Sequence, residues 1–309
     1  MRGLLVVNPR ATTTSPRVTD VLVNALQSQL DLTVELTRYR GHGFELGRMA
    51  RDEGIDVVIA LGGDGVINEI VNGMLHRGIG DGVPLLGIVP GGSANVFARS
   101  LGIPLDAVEA VGMILDALRN GTKREIGIGR AGERWFVANA GVGLDAEIIA
   151  AMERRRKKGV RASPYAYLVT TLREFFQRTD RRRPAVTIDS SRGHINDAFL
   201  AFVQNTSPWT YFGTWAINPC PQASFDSGLD IFAMRSLGLV ATTVAAQRML
   251  ARSANGTAGG ALVTWHDVDR FSISSTRPIA MQIDGEGVEP ATEVEFTAHP
   301  RALAVMSHN

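Results

Sequence analysis

The sequence predicts a two-domain chain: an α/β domain built on a parallel sheet, then a mostly antiparallel β domain, with a cleft between them. Three observations lead there. At 309 residues the chain is long for one core and comfortable for two. Up to about residue 120, short β-branched runs alternate with helical patterns. After Asn120-Gly121 strand-like runs separated by turn residues such as Asp226-Ser227-Gly228 take over.

In the first part, residues 4–7, 33–36, 57–61 and 85–89 read as strands, and 16–30, 44–52, 66–76, 94–101 and 105–119 as helices. Ser15 before Pro16 supplies a cap and a first-turn proline for the first helix. Strands alternating with helices imply a parallel sheet covered on both faces, with ligands at the carboxyl ends of its strands. In the second part, 135–139, 185–188, 199–205, 229–234, 271–274, 279–283 and 294–297 read as strands. Helical insertions are expected over 144–158 and 164–178. The expected division is 1–124, completed by about 299–309, and 125–298.

Composition removes several classes. Hydrophobic residues make up 45% and charged residues 20%, as in a globular protein. No run of about 18 uncharged apolar residues occurs, so no spanning helix is expected. The opening run 1–9 reads as a buried strand, since its apolar stretch is too short for a signal peptide. Cys220 is the only cysteine and is expected to be a packing residue, and the six histidines show no metal-ligand spacing. A reducing, cytoplasmic setting fits. The net charge of +1 hides an asymmetry: 153–183 holds eleven Lys or Arg against three acids, leaving the remainder at −7. That overall balance, without a binding module, argues against nucleic acid. Gly127-Ile-Gly129-Arg-Ala-Gly132 fits a dinucleotide fingerprint, but no helix is expected to follow it.

Two glycine-rich loops carry the chemistry. Gly62-Gly63-Asp64-Gly65 follows an apolar strand and opens a helix containing Asn68 and Glu69. Glycines let backbone N–H groups approach an anion, and a helix N-terminus adds its dipole. An aspartate there makes sense if Mg²⁺ bridges it to a nucleotide, or if it caps the helix in a tight turn. Gly91-Gly92-Ser93-Ala94-Asn95 repeats the arrangement after the next strand, and the pair points to a phosphate-binding cleft.

These loops closely resemble the signature of the diacylglycerol kinase and sphingosine kinase catalytic-domain family, bacterial soluble type. The resembling stretches are 62–73, 90–99 with the following Leu-Gly-Ile-Pro, Val7-Asn8-Pro9, Thr37 with Gly41-His42-Gly43, 139–146 and 282–286. They run in order along nearly the whole chain. The resemblance implies a Rossmann-like first domain of the phosphofructokinase and NAD kinase type. It also implies ATP and Mg²⁺ as cofactors, phosphorylation of a lipid hydroxyl (diacylglycerol or a related lipid alcohol) in lipid metabolism, and room for a homodimer. Asn8, Thr37, Gly62, Gly63, Asp64, Gly65, Asn68, Glu69, Gly91, Gly92, Ser93 and Asn95 would line the nucleotide site.

Asp284-Gly285-Glu286 follows a strand-like run. In the family the matching aspartate takes the proton of the lipid hydroxyl, so Asp284 is expected to be the general base, with Glu286 orienting it or serving a metal. An ordinary Asp-Gly hairpin with exposed acids is the plainer reading. The chain departs from the family at Val66, Val96 and Gly127, in the opening 8–12, and at Ser227-Gly228, where some members hold a structural metal with Asp-Gly. Asp226 is the nearest substitute ligand. With fewer carboxylates, Mg²⁺ is expected to arrive on the nucleotide through Asp64.

The basic stretch 153–183 contains aromatics and suits peripheral docking on an anionic membrane, or a solvated face over a packed core. Trp209, Tyr211 and Phe212 are candidates for acyl contact or for core. Two other functions stay open: NAD kinase, which shares Gly-Gly-Asp-Gly, and a weakly catalytic nucleotide- or lipid-binding regulator.

Overall fold

The computed structural model describes residues 1–11, 16–143, 186–212, 215–250 and 260–307. The expected cap Ser15, the helices over 144–158 and 164–178, and the basic stretch 153–183 lie outside the described residues, as does the side chain of Phe212. The chain divides into two units, Met1–Ile128 with Pro300–Asn309, and Gly129–His299.

In the first unit β1 (Arg2–Val7), α1 (Pro16–Gln27), β2 (Asp31–Leu36), α2 (His42–Asp52), β3 (Val57–Gly62), α3 (Asp64–Met74), β4 (Leu85–Pro90), α4 (Val96–Ser100) and α5 (Ala107–Asn120) follow in order. The strands run parallel in the order β4-β3-β1-β2. β3 is buried at every position, as a continuous apolar strand in mid-sheet must be. β2 lies at the edge, and its Asp31 and Leu36 face water. On the other side of β4, Val305 pairs with Leu86, and the N–H of Met306 donates to the Leu86 carbonyl at 2.9 Å.

Two glycines decide how α2 meets α3. A Cβ on Gly47 would strike the carbonyl oxygen of Ile70, and one on Gly73 would strike that of Phe44. The backbones therefore touch where side chains would ordinarily hold helices 8–10 Å apart. α5 begins under Asp106, whose carboxylate accepts from the amides of Val108 and Glu109 at 2.9 and 3.1 Å, and ends at Gly121 with φ 64°.

The chain passes into the second unit along β5 (Arg124–Ala131). That unit then holds β6 (Arg134–Phe136), β7 (Asn139–Gly143), β8 (Val186–Ser190), β9 (Gly193–Ala198), β10 (Leu200–Gln204), β11 (Thr210–Phe212), β12 (Trp215–Ile217) and β13 (Leu229–Met234). A helix α6 (Leu239–Leu250) follows, then β14 (Leu262–Val268), β15 (Arg270–Ile283) and β16 (Glu286–Val305), whose end returns to the first unit. The main order is β14-β13-β10-β7-β15-β16, antiparallel throughout; β8 also pairs with β15, and β11 with β12 forms a separate hairpin. One core gathers Phe136, Val142, Val203, Ile231, Phe271 and Phe296, with the Phe271 and Phe296 rings stacked at 5.0 Å. A second, against α6, holds Leu200, Cys220, Phe232, Met234, Ala245 and Leu262. Burial lifts the Cys220 thiol well above its ordinary range, and the cysteine is a packing residue.

The α/β and antiparallel halves match the fold class read from the sequence. Two expected strands, 271–274 and 279–283, are one strand, β15, with register shifts between Ser274 and Met281. The polar Ser274-Ser275-Thr276-Arg277-Pro278 had broken the apolar pattern. α6 answers to no expected element.

Candidate functional site

In the first unit, the carboxyl ends of β2, β1, β3 and β4 collect Thr37, Asn8, the 62–65 loop and the 91–95 loop side by side. Thr37 follows β2, its N–H donating to the Val7 carbonyl at 2.9 Å. Asn8 follows β1, with its side-chain oxygen accepting from the Arg10 amide at 2.9 Å. The two glycine loops close on one another through backbone. The Gly91 N–H donates to the Gly62 carbonyl at 2.8 Å. A Cβ on Gly92 would lie 2.7 Å from Gly63 Cα, and one on Gly63 would lie 3.1 Å from Gly92 Cα. Such backbone-to-backbone approach is open only to glycine.

The side chains among these loops are largely turned inward. Asn95, at φ 47°, accepts from the Gly92 amide through Oδ1 and donates to the Gly92 carbonyl through Nδ2, both at 2.8 Å, closing the loop into a ring. Asp64 Oδ2 accepts from the Val96 amide and Oδ1 from the Phe97 amide, both at 3.1 Å. The aspartate of one loop thus caps the helix that leaves the other. Burial raises its carboxyl above the ordinary range, and the amides of Phe97 and Val96 draw it partly back. Ser93 is exposed and Gly65 half-buried. α3 starts at Gly63, which offers no side-chain cap, and the Asp64 carboxylate turns back on its own amide.

Three of the side chains expected at the nucleotide site meet protein groups. Glu69 does not point at the loops: its carboxylate accepts from the amides of Gly41 and Gly43 at 2.8 and 3.0 Å, capping α2. Asn68 is fully buried, and its carbonyl and side-chain oxygen both accept from Asn72 Nδ2. Asp64 meets helix amides with both oxygens. All three follow from one ambiguity: a carboxylate or amide beside a helix start satisfies N–H groups as readily as it binds a ligand.

In the second unit, Asp284 and Gly285 form a two-residue hairpin between β15 and β16, with φ 46° and 80° and Ile283 paired to Glu286. The plainer reading of an ordinary hairpin with exposed acids does not hold for Asp284, which is buried. Its Oδ1 accepts from the amides of Ala138 and Asn139 and its Oδ2 from that of Val137, all at 2.9 Å. Its own N–H donates to the Asn139 carbonyl at 2.8 Å. Three successive amides make an anion-binding concavity, filled here by the protein's own carboxylate. Around it Gln282 Nε2 reaches Asn139 Oδ1 at 3.2 Å, Gln282 Oε1 accepts from the Gly285 amide, and Asn205 Nδ2 donates to the Val137 carbonyl. Glu286 is half-buried at the start of β16.

Sequence reasoning missed Asn205 in this network. It also missed buried Asp230, whose Oδ1 accepts from the Asp267 amide at 3.0 Å and lies 2.7 Å from His266 Nδ1. Burial raises the Asp230 carboxyl. Asp226, expected as a metal ligand, is exposed on a turn, its N–H directed at Ser224 Oγ. Among the described residues no three His, Cys, Asp or Glu gather to hold a metal. Trp209 is core, its ring 4.4 Å from that of Phe202, and Tyr211 is half-buried. Among the described residues no helix is long and apolar enough to cross a membrane.

The glycine cradle and the start of α3 fit a polyphosphate.

Residues 2–131 match the diacylglycerol kinase catalytic domain family. A Chromohalobacter salexigens protein named as a probable YegS-like lipid kinase is 37% identical over 133 residues, 43% of this chain and 41% of that protein. A Stenotrophomonas maltophilia protein of the same name is 28% identical over 267 residues, 84% and 82% of the two chains. A Bacillus subtilis diacylglycerol kinase is 35% identical over 128 residues, 41% and 40%. The chain thus spans about two-fifths of the length of two of these relatives. A crystal structure of a diacylglycerol kinase from Bacillus anthracis str. Sterne superposes with a TM-score of 0.72 at 20% identity, covering 99% of this chain and 97% of its own. A second structure from the same strain gives 0.77 at 21%, with the same coverage.

Proposed function

Residues 2–131 form a domain of the diacylglycerol kinase catalytic family, that of a lipid kinase, and from that premise we propose that the chain transfers the γ-phosphoryl group of ATP to the hydroxyl of diacylglycerol or a related lipid alcohol. The observation that carries the reading is the closure of two glycine loops on each other at the carboxyl ends of β3 and β4. It brings the start of α3 and the exposed Ser93 to one end of the sheet, where a helix N-terminus favours a phosphate.

In this reading Gly63 and Gly65 with the start of α3 hold the phosphates from one side and Ser93 from the other, while Gly62, Gly91 and Gly92 close the two loops on each other. Asn8 and Thr37 flank them. Asp64 and Asn95 act as positioning residues, fixing the loops through Val96, Phe97 and Gly92. Mg²⁺ carried by the nucleotide would supply neutralisation of the charge on its phosphates.

Asp284 is assigned as general base. The lipid oxygen attacks the γ-phosphorus, the bond to the β-bridging oxygen breaks, ADP leaves, and the hydroxyl proton passes to the carboxylate. Three amides fix that carboxylate's orientation, and a loose phosphoryl-transfer transition state asks chiefly for alignment.

The test is transfer of labelled γ-phosphate from Mg-ATP to a panel of lipid alcohols in mixed micelles, with NAD included. One labelled lipid is expected, with Asp284→Asn lowering kcat by roughly 10²–10⁴ while ATP binding and the circular dichroism spectrum persist. Label in NAD alone, or ATP binding without any transfer, overturns the proposal.

A further inference from the structure

We infer that the second unit carries a docking surface for an anionic lipid bilayer, made by the outward face of α6 and by Trp215. The choice of a bilayer as occupant rests on the lipid-kinase reading.

A surface helix normally turns charge towards water. α6 does not. Leu239, Val240, Thr243, Ala246, Gln247 and Leu250 fall on its outward side at helical spacing, and all are exposed. Leu239 is 81% exposed, Val240 79% and Leu250 51%, and the face holds no charge. Inward, Ala245 is the buried anchor against Phe232, Met234 and Leu262. The β11–β12 hairpin packs on the far end of the helix, where the Asn218 N–H donates to the Met249 carbonyl at 2.6 Å. On that hairpin Trp215 is 67% exposed. Between α6 and β14 runs an open groove of about 450 Å³, lined by Leu239, Val240, Val244 and Leu262.

The face therefore shows aliphatic side chains at both ends of a helix about 18 Å long, with an indole beside one end. An apolar patch of this kind marks a partner site, and tryptophan favours the boundary between water and lipid. Charge selects the partner. From Ile231 to His266 the sequence holds Arg235, Arg248 and Arg252 and no carboxylate, in a chain whose overall charge is only +1. A helix with an apolar outer face and flanking arginines suits shallow insertion among anionic headgroups, lying in the membrane plane. A second copy of this chain would bring the same arginines against themselves.

The experiment is co-sedimentation of the full chain, without nucleotide, with vesicles of phosphatidylcholine alone or mixed equally with phosphatidylglycerol. Binding to the mixed vesicles is expected, weaker in high salt, with a blue shift of tryptophan emission that Trp215→Phe abolishes. The double variant Leu239→Ser/Val240→Ser should bind at least tenfold more weakly while its circular dichroism spectrum and ATP affinity hold. A double variant that sediments like the parent overturns the inference. So does a parent dimer that this variant converts to monomer, which would give the face to a second copy. Vesicle binding as expected with no lipid labelled would uphold the docking surface and sink only the kinase reading.

Discussion

Replacing Gly92 by alanine tests whether the paired loops are a backbone cradle or merely two neighbouring turns. The new Cβ would lie 2.7 Å from Gly63 Cα and 3.0 Å from Asn95 Oδ1, and the nearer obstacle is main chain that cannot rotate away. Gly92 is absent from the glycines with positive φ, so the effect is steric rather than conformational. Overpacking of this kind costs roughly 1–3 kcal/mol. If the displaced loop also loses one of the two 2.8 Å bonds between Gly92 and Asn95, another 0.5–1.5 kcal/mol or so is at stake. A loss of about 2–4 kcal/mol is expected from urea unfolding monitored by circular dichroism. Calorimetric titration with Mg-ATP should show affinity at least about tenfold weaker, since about 1.4 kcal/mol of lost alignment suffices for that. Gly112→Ala is the control: nothing lies within 4 Å of its Cβ position in α5, and alanine there should stabilise by roughly 0.5–1 kcal/mol with ATP affinity unchanged. Gly92→Ala with parental stability and parental affinity would refute the cradle.

Glu69→Gln should lower stability by about 1–3 kcal/mol in the same urea assay, because an NH₂ group then faces one of the two amides that the carboxylate now satisfies. Weakened ATP binding with unchanged stability would return Glu69 to the nucleotide. Gly47→Ala and Gly73→Ala should each cost about 3 kcal/mol, since their Cβ atoms meet carbonyl oxygens across the α2–α3 contact; a melting temperature within one degree of the parent would exclude that contact. His299, packed edge-on to Trp135 at 4.9 Å, has its pKa lowered by burial and then by Arg130 and Arg270. A depressed histidine favours the neutral form in the fold, so its contribution is whole above about pH 6.5 and shrinks as pH falls towards the folded value. The parent should therefore lose stability relative to His299→Gln between pH 7.5 and 5, and a difference in melting temperature that stays constant with pH would contradict this.

The parallel half was legible because each of its signals is local. β1, β3 and β4 are unbroken apolar runs, and the glycine loops sit where such strands end. The motifs also named correctly which segments meet at the sheet's edge. They did not reveal which way the polar side chains turn. Asp64, Glu69 and Asn95 each chose backbone donors two or three dozen residues away, or within their own loop, and nothing in a spacing separates that outcome from ligand binding. The burial of Asp284 was not legible in its Asp-Gly turn, since its three donors lie some 145 residues earlier. α6 escaped notice for the reason that makes it interesting. Its outer face is as apolar as its inner one, so the 3.6-residue alternation that announces a surface helix is missing.

The pairing of Val305 with Leu86 has a consequence for how the protein is made. The first unit consists of Met1–Ile128 and Pro300–Asn309, so roughly 170 residues must leave the ribosome between its two pieces. At about 5–20 residues per second that interval is on the order of 10–30 s. Throughout it residues 1–128 wait on a nascent chain with the outer hydrogen-bonding edge of β4 unpaired, an edge to which a neighbouring nascent chain can add a strand. A slow stretch of translation after residue 128 would lengthen that exposure, and arrival of the last ten residues would end it.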